Sequence, residues 1–139
     1  MQTLSVPQGT FSLSRFPKQS KDPLRAWDAA DEYILQHIAE QQLLTPVSKV
    51  LILNDSFGAL GVALSVTAPV MMSDSYIAQQ GCIANYKDNM IPLEQVCLIS
   101  SLSPLSEYLP ANSSGFDLVI IKITKSLAQL EDQLHRVRP

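Results

Sequence analysis

The sequence predicts an α/β protein built on one parallel sheet, and three observations predict it. An apolar run, Val50 to Leu53, stops at Asn54 and Asp55 and turns through Gly58. Apolar on both faces, it reads as a strand covered on both sides, the usual state of a central parallel strand. Helical and strand patterns then alternate down the chain, as crossover units require. The 139 residues are 46% hydrophobic, enough for one core of ordinary size. Ligands of such sheets collect at the carboxyl ends of the strands, which directs attention to NDSFGALG, residues 54–61.

Taken in order, Leu4, Val6, Phe11 and Leu13 alternate with polar residues around Pro7-Gln8-Gly9, the pattern of a hairpin outside the main sheet. Asp22 before Pro23 predicts a helix N-cap with proline at the first helical position. Trp27, Ala30, Ile34 and Ile38 form one apolar stripe of a helix running to about Leu43. After Pro46 the first strand of the sheet, Lys49 to Asn54, leads into a short helix ending before Thr67. Pro69 to Asp74 is the second strand, and Ser75 caps a helix from Tyr76 to about Asn89. Pro92 marks the connection into a third strand, Val96 to Ser100. A polar, proline-containing loop over residues 101–115 precedes a fourth strand, Asp117 to Ile123, and Leu127, Leu130, Leu134 and Val137 stripe a last helix.

Right-handed crossovers place these four strands in the order 3-2-1-4, a Rossmann-like arrangement. That order leaves Leu118 to Ile121 as an apolar edge, a poor feature for a free-standing sheet. The expectation is therefore a sheet truncated after strand four, either part of something longer or covered by a partner. Residues 1–47 supply the N-terminal hairpin and helix, and residues 48–139 the first part of the Rossmann-like domain.

Net charge is −3, but its distribution says more. Arg15, Lys18, Lys21 and Arg25 oppose only Asp22 within residues 1–27. Lys122, Lys125, Arg136 and Arg138 oppose Glu131 and Asp132 in the final twenty, and the stretch between is acidic. Convergence of the basic ends would make a phosphate-facing patch, and a solvated surface mixture is the plainer outcome. Cys82 and Cys97 lack C-x-x-C spacing and a nearby His, so they read as buried free thiols and no metal site is expected. His37 and His135 stand alone on helices, as surface or capping residues. Trp27 belongs to an apolar stripe, while Tyr33 is open to a stacking role. No apolar run approaches the roughly 20 residues of a membrane span, and a cytoplasmic, membrane-free protein is expected.

Four blocks, PLRAWDAADEYILQHI (23–38), LILNDSFGALGVAL (51–64), SDSYIAQQ (73–80) and IIKITKSLAQLEDQL (120–134), resemble the N-terminal half of the ribosomal RNA large subunit methyltransferase G family. The resemblance implies a tandem pair of methyltransferase-like Rossmann domains. It places S-adenosylmethionine and an N-P-P-F catalytic loop in a C-terminal copy lying outside these residues. It also implies methyl transfer to the exocyclic N2 of a guanine in 23S rRNA, with that RNA and the C-terminal domain as partners.

Against that pattern this copy departs wherever chemistry would sit. A working copy would carry D-x-G-x-G-x-G after the first strand so that backbone approaches the cofactor; NDSFGALG puts Phe57 there. Asp55, Gly58 and Asp74 are the remaining cofactor-binding candidates. After the fourth strand, Lys122-Ile123-Thr124-Lys125 replaces the motif that orients an amine. No catalytic residue and no cofactor are expected in this part.

Its expected role is to position rRNA through Lys122 and Lys125, with Arg15, Lys18, Lys21, Arg136 and Arg138 as further phosphate contacts. The competing readings are that the lysines serve solubility, that the domain braces the catalytic half, or that it binds S-adenosylmethionine or another nucleotide by itself. A receiver-type signalling domain fits less well: Asn54-Asp55 supplies one acid where two are wanted, and strand three ends in Ser100-Ser101.

Overall fold

In a computed structural model, residues 2–17, 24–108, 115–122 and 127–137 of the chain are described. A hairpin of β1 (Gln2–Val6) and β2 (Gly9–Leu13) comes first, followed by α1 (Ala29–Glu40), β3 (Val50–Leu53) and α2 (Ala59–Ala63). Next come β4 (Val70–Met72), α3 (Tyr76–Asp88), β5 (Cys97–Ile99), β6 (Leu118–Ile121) and α4 (Leu127–Val137). Strands β5, β4, β3 and β6 form one parallel sheet in that order. This is the 3-2-1-4 arrangement expected, and the hairpin stands apart from it as an antiparallel pair.

β3 is the central strand, with Leu51, Ile52 and Leu53 fully buried. It stops one residue short of the expected end because Asn54 takes φ 65°, outside the strand region. One face of the sheet carries Val50, Ile52, Met71 and Ile120 into a core shared with the hairpin, α1, α2 and α3. The other carries Leu51, Leu53, Val70, Met72 and Ile99 against Tyr108, Phe116 and Val137. Each strand alternates between the two cores.

The start of α1 differs from expectation. Asp28 is the N-cap: its carboxylate accepts the Asp31 N–H at 3.0 Å, and Asp31 accepts the Asp28 N–H at 3.0 Å, a reciprocal capping box. Asp22 and Pro23 lie outside the described residues. The helix also ends at Glu40 rather than near Leu43, and its buried residues are Asp31, Leu35 and Ile38, while Ala30 is exposed. Trp27 is buried ahead of the helix, its Nε1–H donating to Glu32. Ser75 caps α3 as expected, accepting the Ala78 N–H. In α4 the phase also differs: Gln133 is buried and Leu134 is half exposed. Cys82 is buried and Cys97 only half-buried, both as free thiols.

The hairpin is held to α3 by amide side chains. Asn85 accepts the Ser14 N–H and donates to the Ser14 and Phe57 carbonyls at 2.8–2.9 Å. One turn on, Asn89 accepts the Ser12 N–H and donates to the Ser12 carbonyl. Two asparagines four apart on a helix thus meet the outward backbone groups of alternate strand residues, doing for β2 what a third strand would do. Asn89→Ala is expected to cost about 1–2 kcal/mol, because two partly buried backbone groups lose partners but can rehydrate. A lower urea midpoint with an unchanged slope would show it.

Candidate functional site: the crevice above the central strands

The carboxyl ends of β3, β4 and β6 converge on the β3–α2 turn, where a ligand of this fold would sit. A cleft of about 330 Å³ lies there, bordered by Asp55, Phe57, Ser73, Asp74 and Ile77. Every glycine and most polar groups of the turn are already engaged by the chain itself.

Gly58 has φ 84°, and a Cβ added to it would lie 2.7 Å from the Cys82 Cα. Its missing side chain lets α3 approach the turn. Gly61 is enclosed in the same way: its N–H donates to an Asp55 carboxylate oxygen at 3.1 Å, and its carbonyl accepts the Tyr86 hydroxyl at 2.8 Å. A Cβ there would collide with the Met71 Sδ. Phe57, at φ 39°, packs against Gly81, and the Arg15 guanidinium lies over its ring at 5.7 Å from the centroid. A cation over an aromatic face is a favourable pairing.

Asp55, one of the candidate ligand residues, is 4% exposed. Its second oxygen has no partner among the described residues. Burial, followed by the nearby Asp31 carboxylate, pushes its acid up to about 7, against the Gly61 N–H and Lys122. Asp74 is exposed at the rim and accepts the Ser101 N–H at 2.8 Å. That contact ties the turns after β4 and β5 together, and bonds from Ser101 hold its carboxyl below the usual range.

Lys122 directly follows β6, which ends at Ile121 rather than at the expected Ile123, and its ammonium points into the protein. Nζ lies 3.1 and 3.2 Å from the two oxygens of Asp31, 3.4 Å from Asp28 and 3.2 Å from the Ser56 hydroxyl. Burial would lower its pKa; the charge and hydrogen bond of Asp31, followed by the charge of Asp28, outweigh this and raise it. Asp31 is 1% exposed, and burial keeps its acid above the usual value despite the Asp28 N–H and Lys122. Asp28, Asp31 and Lys122 thus form an internal ion cluster that joins α1 to the end of β6 and reaches the β3–α2 turn through Ser56.

Of the basic residues expected to meet phosphate, Lys122 donates to Ser56 and Arg15 lies over the ring of Phe57. Arg136 lies on α4, 3.7 Å from Asp132. Lys18, Lys21, Lys125 and Arg138 lie outside the described residues. Tyr33 is exposed and stacked with His37, and His135 is exposed. No helix among the described residues is long and apolar enough to cross a membrane.

Sequence reasoning missed Asp31, Asn85 and the pairing of Asn54 with Gln133. The last two exchange amide hydrogen bonds at 2.9 Å in both directions. A polar residue on the buried side of an otherwise apolar helix stripe is the signal that all three carry.

Residues 1–139 match the family model described as RLMG N-terminal domain. The chain is 40% identical, over all of its length, to ribosomal RNA large subunit methyltransferase G of Streptomyces griseus. It is 43% identical over 99% of its length to the Aeromonas salmonicida protein of the same name, and in both cases spans 35% of the relative. A solved structure from Streptococcus mutans, assigned to the SAM-dependent methyltransferases, superposes with TM-score 0.54 at 11% identity. That match covers 85% of this chain and 34% of the other.

Proposed function

From the premise that the chain belongs to the RLMG N-terminal domain family, we propose that it is the non-catalytic, rRNA-positioning part of an S-adenosylmethionine-dependent methyltransferase. The whole protein would methylate guanine N2 in 23S rRNA in the cytoplasm, with cofactor and chemistry in its C-terminal domain. One observation carries the reading: the turn that would cradle the cofactor is occupied by Asp55, Cys82, Tyr86 and Met71 of the chain itself. The Gly61 N–H at the start of α2, which an anionic or polar ligand would want, is already taken by the Asp55 carboxylate. No step of methyl transfer is assigned to these residues.

Titrating the chain with S-adenosylmethionine in a calorimeter should give no heat of binding. Micromolar affinity would overturn the reading and favour a cofactor-binding module.

The RNA-facing role rests on the basic residues other than Lys122, whose charge Asp28 and Asp31 neutralise. Replacing Lys18, Lys21, Lys125 and Arg138 with alanine in the full-length protein should weaken RNA binding and flatten its salt dependence, by about 0.9 in log–log slope for each duplex phosphate no longer neutralised. An unchanged slope would leave the domain a brace for the catalytic half.

A further inference from the structure

We propose that a cavity at the other end of the sheet from the crevice is a ligand site for an uncharged molecule with an apolar body and one N–H or O–H donor. It opens where α1 and α2 end and the chain turns back toward β3 and β4, and the hairpin turn at Pro7 and Gln8 forms its third side. Its volume is about 590 Å³, and it shares no lining residue with the crevice. Small-molecule sites are of this size, roughly 300–1,000 Å³, with apolar walls and few polar groups.

The lining decides the chemistry. Ile38, Leu44, Leu64 and Val66 supply apolar wall, and Ala39 and Ala63 stand where a longer side chain would begin to fill the space. No charged side chain lines it, so an ion entering would shed water and meet no counter-charge. Two of the lining hydroxyls are already engaged: Thr67 donates to the Leu64 carbonyl at 2.8 Å, and Thr45 lies 3.3 Å from the Ser48 hydroxyl. Gln8 is different. Its Nε2 donates to the Leu35 carbonyl at 2.8 Å, which fixes the amide and leaves Oε1 as an acceptor only. That oxygen is buried and has no partner among the described residues. Buried acceptors are nearly always paired, and a donor on a molecule held between these walls would pair this one. Two sources offer that chemistry: a free small molecule, or an unpaired base of the RNA, whose edge carries N–H donors. The second source rests on the proposed function; the site itself does not.

Methyl NMR on the full-length protein, with indole and benzothiophene as probes, tests the site without cofactor or RNA. The two bicycles match in shape, and only indole has an N–H. Indole should shift the methyl signals of Ile38, Ala63 and Val66 and bind about 5-fold more tightly than benzothiophene. Gln8→Leu should bring the two affinities together, while Ala39→Leu, which narrows the cavity, should weaken both. Shifts confined to other residues, or equal affinities in the parent, would overturn the proposal. A 23S rRNA fragment added to the indole complex then separates the sources. RNA that displaces indole assigns the site to a base, and RNA that binds alongside it assigns the site to a free molecule. An absence of RNA binding would fail the proposed function and leave the indole site standing.

Discussion

Lys122→Met is expected to destabilise the fold by about 3–5 kcal/mol at pH 8, the range for removing one partner of a buried ion pair. The variant keeps the apolar stem and removes the charge that lies 3.1 Å from Asp31. Asp31 is 1% exposed and, among the described residues, also receives the Asp28 N–H, so its carboxylate would be left buried beside the charges of Asp28 and Asp55. The pH dependence of the loss follows from the same groups. Asp31 already titrates above the usual value because it is buried, and without Lys122 it would rise further. Protonation then relieves the penalty, so the loss should be smaller at pH 5.5 than at pH 8. Adding Asp31→Asn should recover most of it. Urea unfolding of the single and double variants at both pH values measures all of this. A loss below about 1 kcal/mol at pH 8 would place the lysine in solvent instead, where surface ion pairs contribute little.

Asp55 carries the second large effect. Its acid stands at about 7 in the fold, whereas an exposed aspartate titrates near 3.9. Between those values the folded chain holds a proton that the unfolded chain has released. The contribution is therefore full below pH 4 and is lost as pH rises through 7, with a ceiling on the order of 4 kcal/mol. Charged and titratable neighbours face it from several elements: Asp31 on α1, Lys122 at the end of β6, and Cys82 and Tyr86 on α3. In Asp55→Asn the carboxamide oxygen can still accept the Gly61 N–H, and nothing ionises. Its stability between pH 5 and 8 should be nearly flat where the parent declines, with the variant the more stable at pH 8. Parallel curves for the two proteins would rule out Asp55 as the source.

These two residues also show what the sequence could and could not reveal. Alternation, the apolar run of β3 and the Ser75 cap are local signals, and they predicted the element order, the strand order and the hairpin. The start of α1 is not local. Asp22-Pro23 and Asp28 offer similar capping chemistry, and the Asp28 box is reinforced by a lysine 94 positions away in sequence. Lys122 was legible as the end of a strand but not as the partner of Asp31, because the two stand 91 positions apart in sequence and no local pattern joins them. Gly58 and Gly61 invited a ligand reading, yet their missing side chains make room for Cys82 and Met71.

The amide clip between α3 and the hairpin gives the amino terminus a role in quality control. A chain emerging from synthesis makes residues 12 and 14 long before residues 85 and 89, so the hairpin must wait for its anchor. Shortening the protein from its front would remove the Ser12 and Ser14 backbone partners of these two asparagines and uncover the face of α3 that they line. Trimmed versions should then be poor substrates for crystallisation and good ones for proteases.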